Sequence, residues 1–353
     1  MAHKKRDSLV TGAAAEERAA ITQRPPTSID VARRAGVSQA TVSYVMNNVP
    51  DSRVSEETRV RVLAAADELG YTMHAMARAV RVGQSNLILQ PQLALPSGPN
   101  TTRFYEGLAA RLGALGYTFL THVDPTARGV EAARLWASLR PAGLLVEAER
   151  VSRRSIQLLR IAGTRAIMLI SDAPSQLTPT LVFNDADIGA CAAEHLVARG
   201  RRHLVAVVPR EAGIRRLGLG RWQGVERVGR AEGLPVERID LAYDERDAAR
   251  HVARWKQGQR PTGVFTYNDE YGMLLMRALL DAGFAVPDQI ALVGADDLPL
   301  CSLLRPRLTS VRTLSPTTID SVAGTFHALI QGQTTDNTAI LAHSPALVVR
   351  EST

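Results

Sequence analysis

Two short apolar-patterned segments separated by a glycine, TSIDVARRAGVSQATVSYVMNN from Thr27 to Asn48, constrain this chain more than any other stretch, because they read as two helices joined by a tight turn. Thr27 stands three residues before Asp30, the capping-box spacing in which the Thr27 hydroxyl accepts from the Asp30 N–H. Ile29, Val31 and Ala32 supply the apolar side of the first helix, and Gly36 falls where the chain must turn through a conformation that a Cβ opposes. Ser38 caps the next helix. Val42 and Val45 point inward from it at i, i+3 spacing, which leaves Gln39, Ala40, Ser43, Tyr44 and Asn47 to face a partner. In a helix-turn-helix the second helix enters the major groove and presents its N-terminal residues to base edges.

An ordinary helical hairpin in a globular domain would show the same local pattern. A third helix follows at once, however, with Ser55 as N-cap, Glu56 and Glu57 at its positive end, a stripe of Val62, Leu63, Ala66 and Leu69, and Gly70 as its stop. Three helices in about sixty residues make a small separate domain. The runs DVARRAGVSQATVSYVMN and VSEETRVRVLAAADELGY resemble the lactose-repressor/galactose-repressor family of bacterial transcription regulators. The resemblance extends over nearly all of the chain after residue 26. It implies an operator-binding regulator, most often a repressor, with DNA contacts from Thr27, Ser38, Gln39, Ala40, Thr41, Ser43, Tyr44 and Asn47; Tyr44 stands where the family often has arginine.

At 353 residues with 45% hydrophobic content, the chain is long enough for two or three domains with well-buried cores. Its net charge of +7 suits a polyanionic partner, but residues 1–83 hold twelve Lys or Arg against nine Asp or Glu, so the motif carries the DNA argument. Two cysteines, Cys191 and Cys301, exclude a disulfide scaffold and a four-thiolate metal site. Residues 1–26 form a basic tail expected to be disordered, with no apolar h-region, and no apolar run of about 18 residues occurs anywhere. These features point to a cytoplasmic protein with no membrane partner. Neither GxSxG, Walker A nor HExxH spacing is present, which argues against an enzyme, and neither cofactor nor metal is called for.

Residues 72–83, TMHAMARAVRVG, link the small domain to the rest. The resemblance implies a hinge helix that orders on operator, with an apolar wedge in the minor groove; Ala77 and Val80 hold the matching positions, Val80 where leucine is usual and Met73 where proline is frequent. From about Gln84, short apolar runs alternate with helical stretches, the signature of parallel strands covered by helices. Strands are expected at 87–89, 118–121, 143–146, 166–170, 204–208, 263–267 and 290–294, and helices at 104–115, 188–199, 223–231 and 273–282. Seven such units exceed one doubly wound sheet of ordinary size. The fold class is therefore α/β: an N-terminal three-helix helix-turn-helix domain (27–71), then a two-lobed core of parallel doubly wound sheets (84–353).

NDADIGACAAEHLVARGRRHLVAVV, GRWQGVERV, PTGVFTYNDEYGMLLMRALLDAGFAVPDQIALVGADD and RPRLTSV resemble the family's regulatory core, itself similar to periplasmic sugar-binding proteins. The resemblance implies three crossings between lobes, near Phe183, Val311 and Ala342, so that lobe 1 spans about 84–183 and 312–341 and lobe 2 about 184–311 and 342–353. Arg221, Asn268 and Asp296 match its effector contacts; further cleft positions are Arg103 and Phe104 in the first βα loop, Tyr243, whose ring can stack on a ring face, and Asp172 after the fourth strand. Each also has a plain structural reading: Asp296 as a loop cap, Asn268 as a turn former, Arg221 as the partner of a surface acid. Where sugar-binding members carry an acid and an aromatic residue, this chain has Ile170 with Ser171 and Leu314 with Ser315. The expected partners are thus a near-palindromic operator, a small-molecule effector of sugar type, and a second copy in a homodimer. Two alternatives stay open: a regulator whose altered cleft answers to a protein partner, and a solute-binding protein, which the helix-turn-helix opposes.

Overall fold

Capping decides where the first helix begins. In the computed structural model, which describes residues 24–46, 53–71, 85–93, 98–124, 126–334 and 339–353, helix α1 runs Ser28–Ala35. The Asp30 N–H donates to Thr27 Oγ1 (3.4 Å) while the Thr27 N–H donates to Asp30 Oδ2 (2.9 Å). Gly36, at φ 66°, ends the helix in the left-handed region. Helix α2 spans Gln39–Met46 behind the Ser38 cap, and α3 spans Glu56–Glu68 behind Ser55. Val31, Ala32, Ala35, Val42, Val45, Val62, Ala65 and Ala66 pack into one core. Two expectations are corrected here. Ile29 is 54% exposed, because two residues at 3.6 per turn carry it to the far side of α1 from Val31; Leu63 is also exposed, and Ala65 takes the inward place. The tail up to residue 23, Asn47, and the hinge with Ala77 and Val80 lie outside the described residues.

The chain divides into two compact units, Met1–Ser85 and Asn86–Thr353. The second unit contains two sheets. The first is built from β1 (Leu87–Pro91), β2 (Thr118–His122), β3 (Gly143–Glu147), β4 (Ala166–Ser171), β5 (Thr180–Val182) and β11 (Ala339–Leu341), in the order β11-β5-β4-β3-β1-β2. The second contains β6 (Leu204–Pro209), β7 (Val236–Leu241), β8 (Gly263–Phe265), β9 (Ala291–Ala295), β10 (Thr309–Arg312) and β12 (Ala346–Val348), in the order β12-β10-β9-β8-β6-β7. Every pairing is parallel except β10 with β12. Both sheets therefore repeat one doubly wound order, whose switch point lies beside the first strand and opens a crevice at the strand C-termini. Helices α4 (Pro99–Ala114), α5 (Gly129–Ser138), α6 (Arg153–Ile161) and α11 (Pro316–Ile330) cover the first sheet; α7 (Asp185–Ala198), α8 (Ala212–Ala231), α9 (Glu245–Gln257) and α10 (Asp269–Asp281) cover the second.

The chain passes between lobes at residues 183–184, 313–315 and 342–345. Val311 itself lies inside β10, paired with Leu347, and the crossing follows it at Thr313. The strand set extends the sequence reading by β5, β7, β10, β11 and β12. Of these, β5, β11 and β12 are three residues each, and β7, VERIDL, is an edge strand whose exposed Glu237 and Arg238 break the apolar run. Arg103 and Phe104 belong to α4 rather than to the preceding loop.

One close contact positions the cleft. Helices α7 and α8 cross so tightly that a Cβ on Gly189 would lie 1.8 Å from the Arg221 carbonyl oxygen, and one on Gly224 would lie 1.9 Å from that of Ala186. Backbone cannot yield as a side-chain tip can, so the two helices would have to separate. Gly189→Ala is expected to destabilise the fold by about 1 to 3 kcal/mol, the usual range for overpacking. A urea midpoint shift at unchanged slope measures it; an unmoved midpoint would show that the helices part without cost.

Candidate DNA interface and effector cleft

On the N-terminal unit the faces of α2 are sorted as base contact requires. Val42 and Val45 are buried, whereas Ser38, Gln39, Ala40 and Tyr44 are exposed and Thr41 and Ser43 are half-buried. The hydroxyls of Thr27 and Ser38 are engaged in their caps: Thr27 Oγ1 donates to Asp30 Oδ2 (2.7 Å), and Ser38 Oγ meets Thr41 Oγ1 at 2.9 Å. Gln39 Nε2 donates to Ser28 Oγ (2.8 Å), which aims the carboxamide along the gap between α1 and α2. Arg34 pairs with Glu68 at 2.7 Å and ties α1 to α3. The exposed amide and methyl at the start of this helix, with the phenol of Tyr44 further along it, are suited to reading base edges.

In the core, Arg221 is the centre of a buried cluster. Its Nε donates to Asp185 Oδ1 (3.1 Å), Nη1 donates to the Tyr267 carbonyl and lies 3.9 Å from Asp296 Oδ1, and the guanidinium sits 4.6 Å from the Tyr267 ring centroid. Burial opposes the charge, yet Tyr267, Asp296 and Asp185 hold Arg221 more firmly protonated than an ordinary arginine. Burial raises the Asp296 pKa, with Arg221 and Thr313 acting the other way. Asp296 and Asp297 occupy the left-handed region at φ 102° and 50°, a strain of the kind that collects at ligand sites. The loop is held by Asp296 N–H to the Val311 carbonyl (2.8 Å), Asp297 N–H to Ser310 Oγ (3.0 Å) and Leu298 N–H to Asp269 Oδ2 (2.8 Å).

Lobe 1 reaches this cluster through Asn100, whose Nδ2 donates to Asp296 Oδ1 (2.9 Å) and Thr313 Oγ1 (2.7 Å). Asn184 ties the first crossing to the third, donating to the His343 carbonyl (3.1 Å) and accepting from the His343 N–H (2.9 Å). Arg216 of α8 pairs with Asp172 beyond β4. Lobe 1 and the crossing segments enclose a cavity of ≈ 90 Å³ lined by Leu93, Asn100, Phe104, Tyr105, Phe183, Leu314 and His343 among others. Burial pushes the His343 pKa down to about 4 and that of Tyr105 up to about 12. On the other side of the crossings an open groove of ≈ 740 Å³ runs past Asp172, Asp185 and Arg216.

Of the expected residues, Phe104 lines this cavity, while Arg221 and Asp296 stand in the buried cluster that Asn100, also on the cavity wall, joins to it. Asn268 is buried at the lobe 2 wall with its amide spent on α10, accepting from the Tyr271 N–H (3.1 Å) and donating to Glu270 (3.1 Å). Arg103 is exposed on α4 and does not line the cavity. Tyr243 stands 58% exposed at the rim, its ring 5.3 Å from that of Tyr271. His195, one turn from Cys191, bonds Thr353 Oγ1 at 2.8 Å, and among the described residues no cluster of three or more His, Cys, Asp or Glu could hold a metal. Sequence reasoning missed Asn100, Asp185, Thr313 and His343; only Asp185, at the start of the NDADIG run, carried a positional signal.

Residues 29–73 match the profile described as bacterial regulatory proteins, lacI family, and residues 193–353 match a periplasmic binding protein-like domain. The HTH-type transcriptional regulator GntR of Pseudomonas aeruginosa is 30% identical over 338 residues, 93% of this chain and 96% of its own length. The chain belongs to the lacI family. The HTH-type transcriptional repressor PurR of Proteus mirabilis is 31% identical over 80% of this chain and 84% of its own. Among solved structures, the lac repressor dimer bound to operator and the anti-inducer ONPF superposes with TM-score 0.73 at 26% identity, covering 93% of this chain and 99% of the repressor. As a lacI-family member the chain is a DNA-binding transcriptional regulator, not an enzyme. No helix among the described residues is long and apolar enough to cross a membrane.

Asp269 supports the strained loop from beneath, accepting from Ser310 Oγ (2.6 Å) and the Leu298 N–H. Burial pushes its pKa up to about 6, against those hydrogen bonds. Because the folded form holds its proton more tightly than the unfolded chain, Asp269 stabilises below about pH 4, and that contribution is lost as pH rises through about 6. The unfolding free energy of wild type relative to Asp269→Asn should fall by up to about 3 kcal/mol between pH 4 and 7, since each tenfold gain in proton affinity is worth ~1.4 kcal/mol. A difference that stays flat across this range would place the Asp269 pKa at its ordinary value.

Proposed function

We propose that this lacI-family chain is a repressor that binds a near-palindromic operator as a homodimer and responds to a sugar or sugar derivative held between its core lobes. The reading rests first on α2, where Gln39, Ala40 and Tyr44 stand exposed over a buried Val42–Val45 seam. One reading helix per chain needs a two-fold site and a second copy. A dimer also suits the open β2 edge, where Leu120 is 43% and Val123 76% exposed, since an uncovered apolar strand edge invites aggregation. Among the relatives, PurR is named a repressor and the lac repressor is a dimer on operator. Such a regulator works in the cytoplasm, on the chromosome.

For the effector, the support is the buried guanidinium–carboxylate pair of Arg221 and Asp296 at the lobe boundary, able to meet donors and acceptors of vicinal hydroxyls with paired hydrogen bonds. A lac repressor structure at 26% identity is bound to ONPG. Effector and operator then alter each other's affinity by one shared coupling energy, typically about 1 to 3 kcal/mol.

Gln39→Ala is expected to cost about 1 to 3 kcal/mol on a selected operator and to leave random-sequence binding nearly unchanged. Titration of both duplexes at one salt concentration measures it, and equal losses would show that Gln39 only positions the backbone. Leu120→Asp combined with Val123→Asp should convert a micromolar dimer to a monomer in sedimentation equilibrium. A dimer that survives the double substitution would move the interface elsewhere.

A further inference from the structure

One hydrogen bond at the reading helix bears on how Gln39 meets a base, an inference that rests on the operator-binding reading above. Gln39 is the first residue of α2 and Ser28 the first residue of α1. Their side chains meet across the gap between the helices, Gln39 Nε2 donating to Ser28 Oγ at 2.8 Å. Both ends of that bond are anchored. The Thr27–Asp30 capping box sets the start of α1, Ser38 caps α2 through the Thr41 N–H (3.1 Å), and the two helices share the core of Val31, Ala35, Val42 and Val45. Ser28 is half-buried and Gln39 exposed, so an outward-facing side chain is held by one set further in.

A glutamine standing alone turns about three side-chain bonds, and its broad terminal torsion lets the carbonyl and amino groups exchange places. Ordering those bonds opposes binding, and here the fold has ordered them beforehand. The bond to Ser28 uses one Nε2 hydrogen and leaves the second together with Oε1. That remaining donor and acceptor match the N7 acceptor and N6 donor on the major-groove edge of adenine. Guanine offers N7 and O6, two acceptors, and Oε1 held against O6 repels it. A glutamine free to turn would swing its oxygen away and give both hydrogens to guanine. The hydroxyls beside it are engaged within their own caps, Thr27 with Asp30 Oδ2 (2.7 Å) and Ser38 with Thr41 Oγ1 (2.9 Å), and Ala40 carries only a methyl. The choice between adenine and guanine at this base pair therefore falls to the pinned carboxamide.

We infer that Ser28 is a positioning residue for base readout: by pinning the Gln39 carboxamide it makes α2 select adenine and reject guanine at the base pair that Gln39 meets. Ser28 touches no base in this role, and its effect passes through Gln39.

The test begins with operators enriched by the full-length protein from a randomised duplex library. The base pair read by Gln39 is the one at which Gln39→Ala levels the affinities of the four base pairs. There wild type should favour A·T over G·C by about tenfold or more, ~1.4 kcal/mol for each tenfold step. Ser28→Ala should shrink that preference about fivefold, the worth of one intramolecular hydrogen bond, whereas Ser28→Thr, which keeps the hydroxyl, retains it. Melting temperature and random-sequence affinity stay at wild-type values in both variants, which separates positioning from a folding defect. In the Gln39→Ala background Ser28→Ala should change nothing, as a double-mutant cycle requires of a residue that acts through its partner. A base other than adenine at the Gln39 position, or a Ser28→Ala preference equal to that of wild type, overturns the pinning. Equal losses on operator and random duplex, or a loss that persists in the Gln39→Ala background, would put Ser28 on the DNA backbone and overturn it as well. In each of these cases the enriched operators leave the operator-binding reading intact. A library that yields no enriched sequence counts against that reading itself and removes this inference with it.

Discussion

A buried guanidinium needs partners, and the core of this regulator is arranged around supplying them to Arg221. Removing a charge from water costs several kcal/mol unless it is paired and hydrogen-bonded. Asp185 comes from the start of α7, Asp296 from the loop after β9, and the Tyr267 carbonyl from just beyond β8, so one helix start and two strand ends must converge on one point. Convergence depends on the α7–α8 crossing, where Gly189 and Gly224 allow backbone to touch backbone. Larger residues there would move Arg221 away from Asp185 and leave a charge unpaired.

The same cluster also joins the two lobes. Asp296 accepts from Asn100, a residue 196 positions away in the other lobe, and is held in a strained backbone conformation by β10 and Asp269. In the function proposed above, a ligand that takes the Asp296 oxygen competes with Asn100 and Thr313 for it. Differential contact of this kind is what permits an effector to shift a conformational equilibrium.

How much was legible in the sequence followed the range of the interactions. Thr27–Asp30, Gly36 at its positive φ, the Ser38 and Ser55 caps and the Val42–Val45 seam are contacts within a few residues, and each was visible as spacing. The central strands β3, β4, β6 and β9 were visible as apolar runs because both of their faces are covered. Edge strand β7 and the three-residue β5, β11 and β12 lacked that signal, since an edge alternates and a three-residue strand has no period. Arg103, placed at the cleft by family position, is exposed on α4 beside the cavity-lining Phe104.

The sequence by itself determined a helix-turn-helix, a core of alternating strands and helices, and the family to which both belong. These follow from local capping energies and from the periodicity of burial, which a linear pattern records. Only the tertiary structure decided that Asn268 spends its amide on a helix cap, that Asn100 and Thr313 meet Asp296, and that two carboxylates face one guanidinium in a buried cluster. Charge balance at a buried site is a sum over residues far apart in the chain, and it takes a value only after the fold has brought them within a few ångströms.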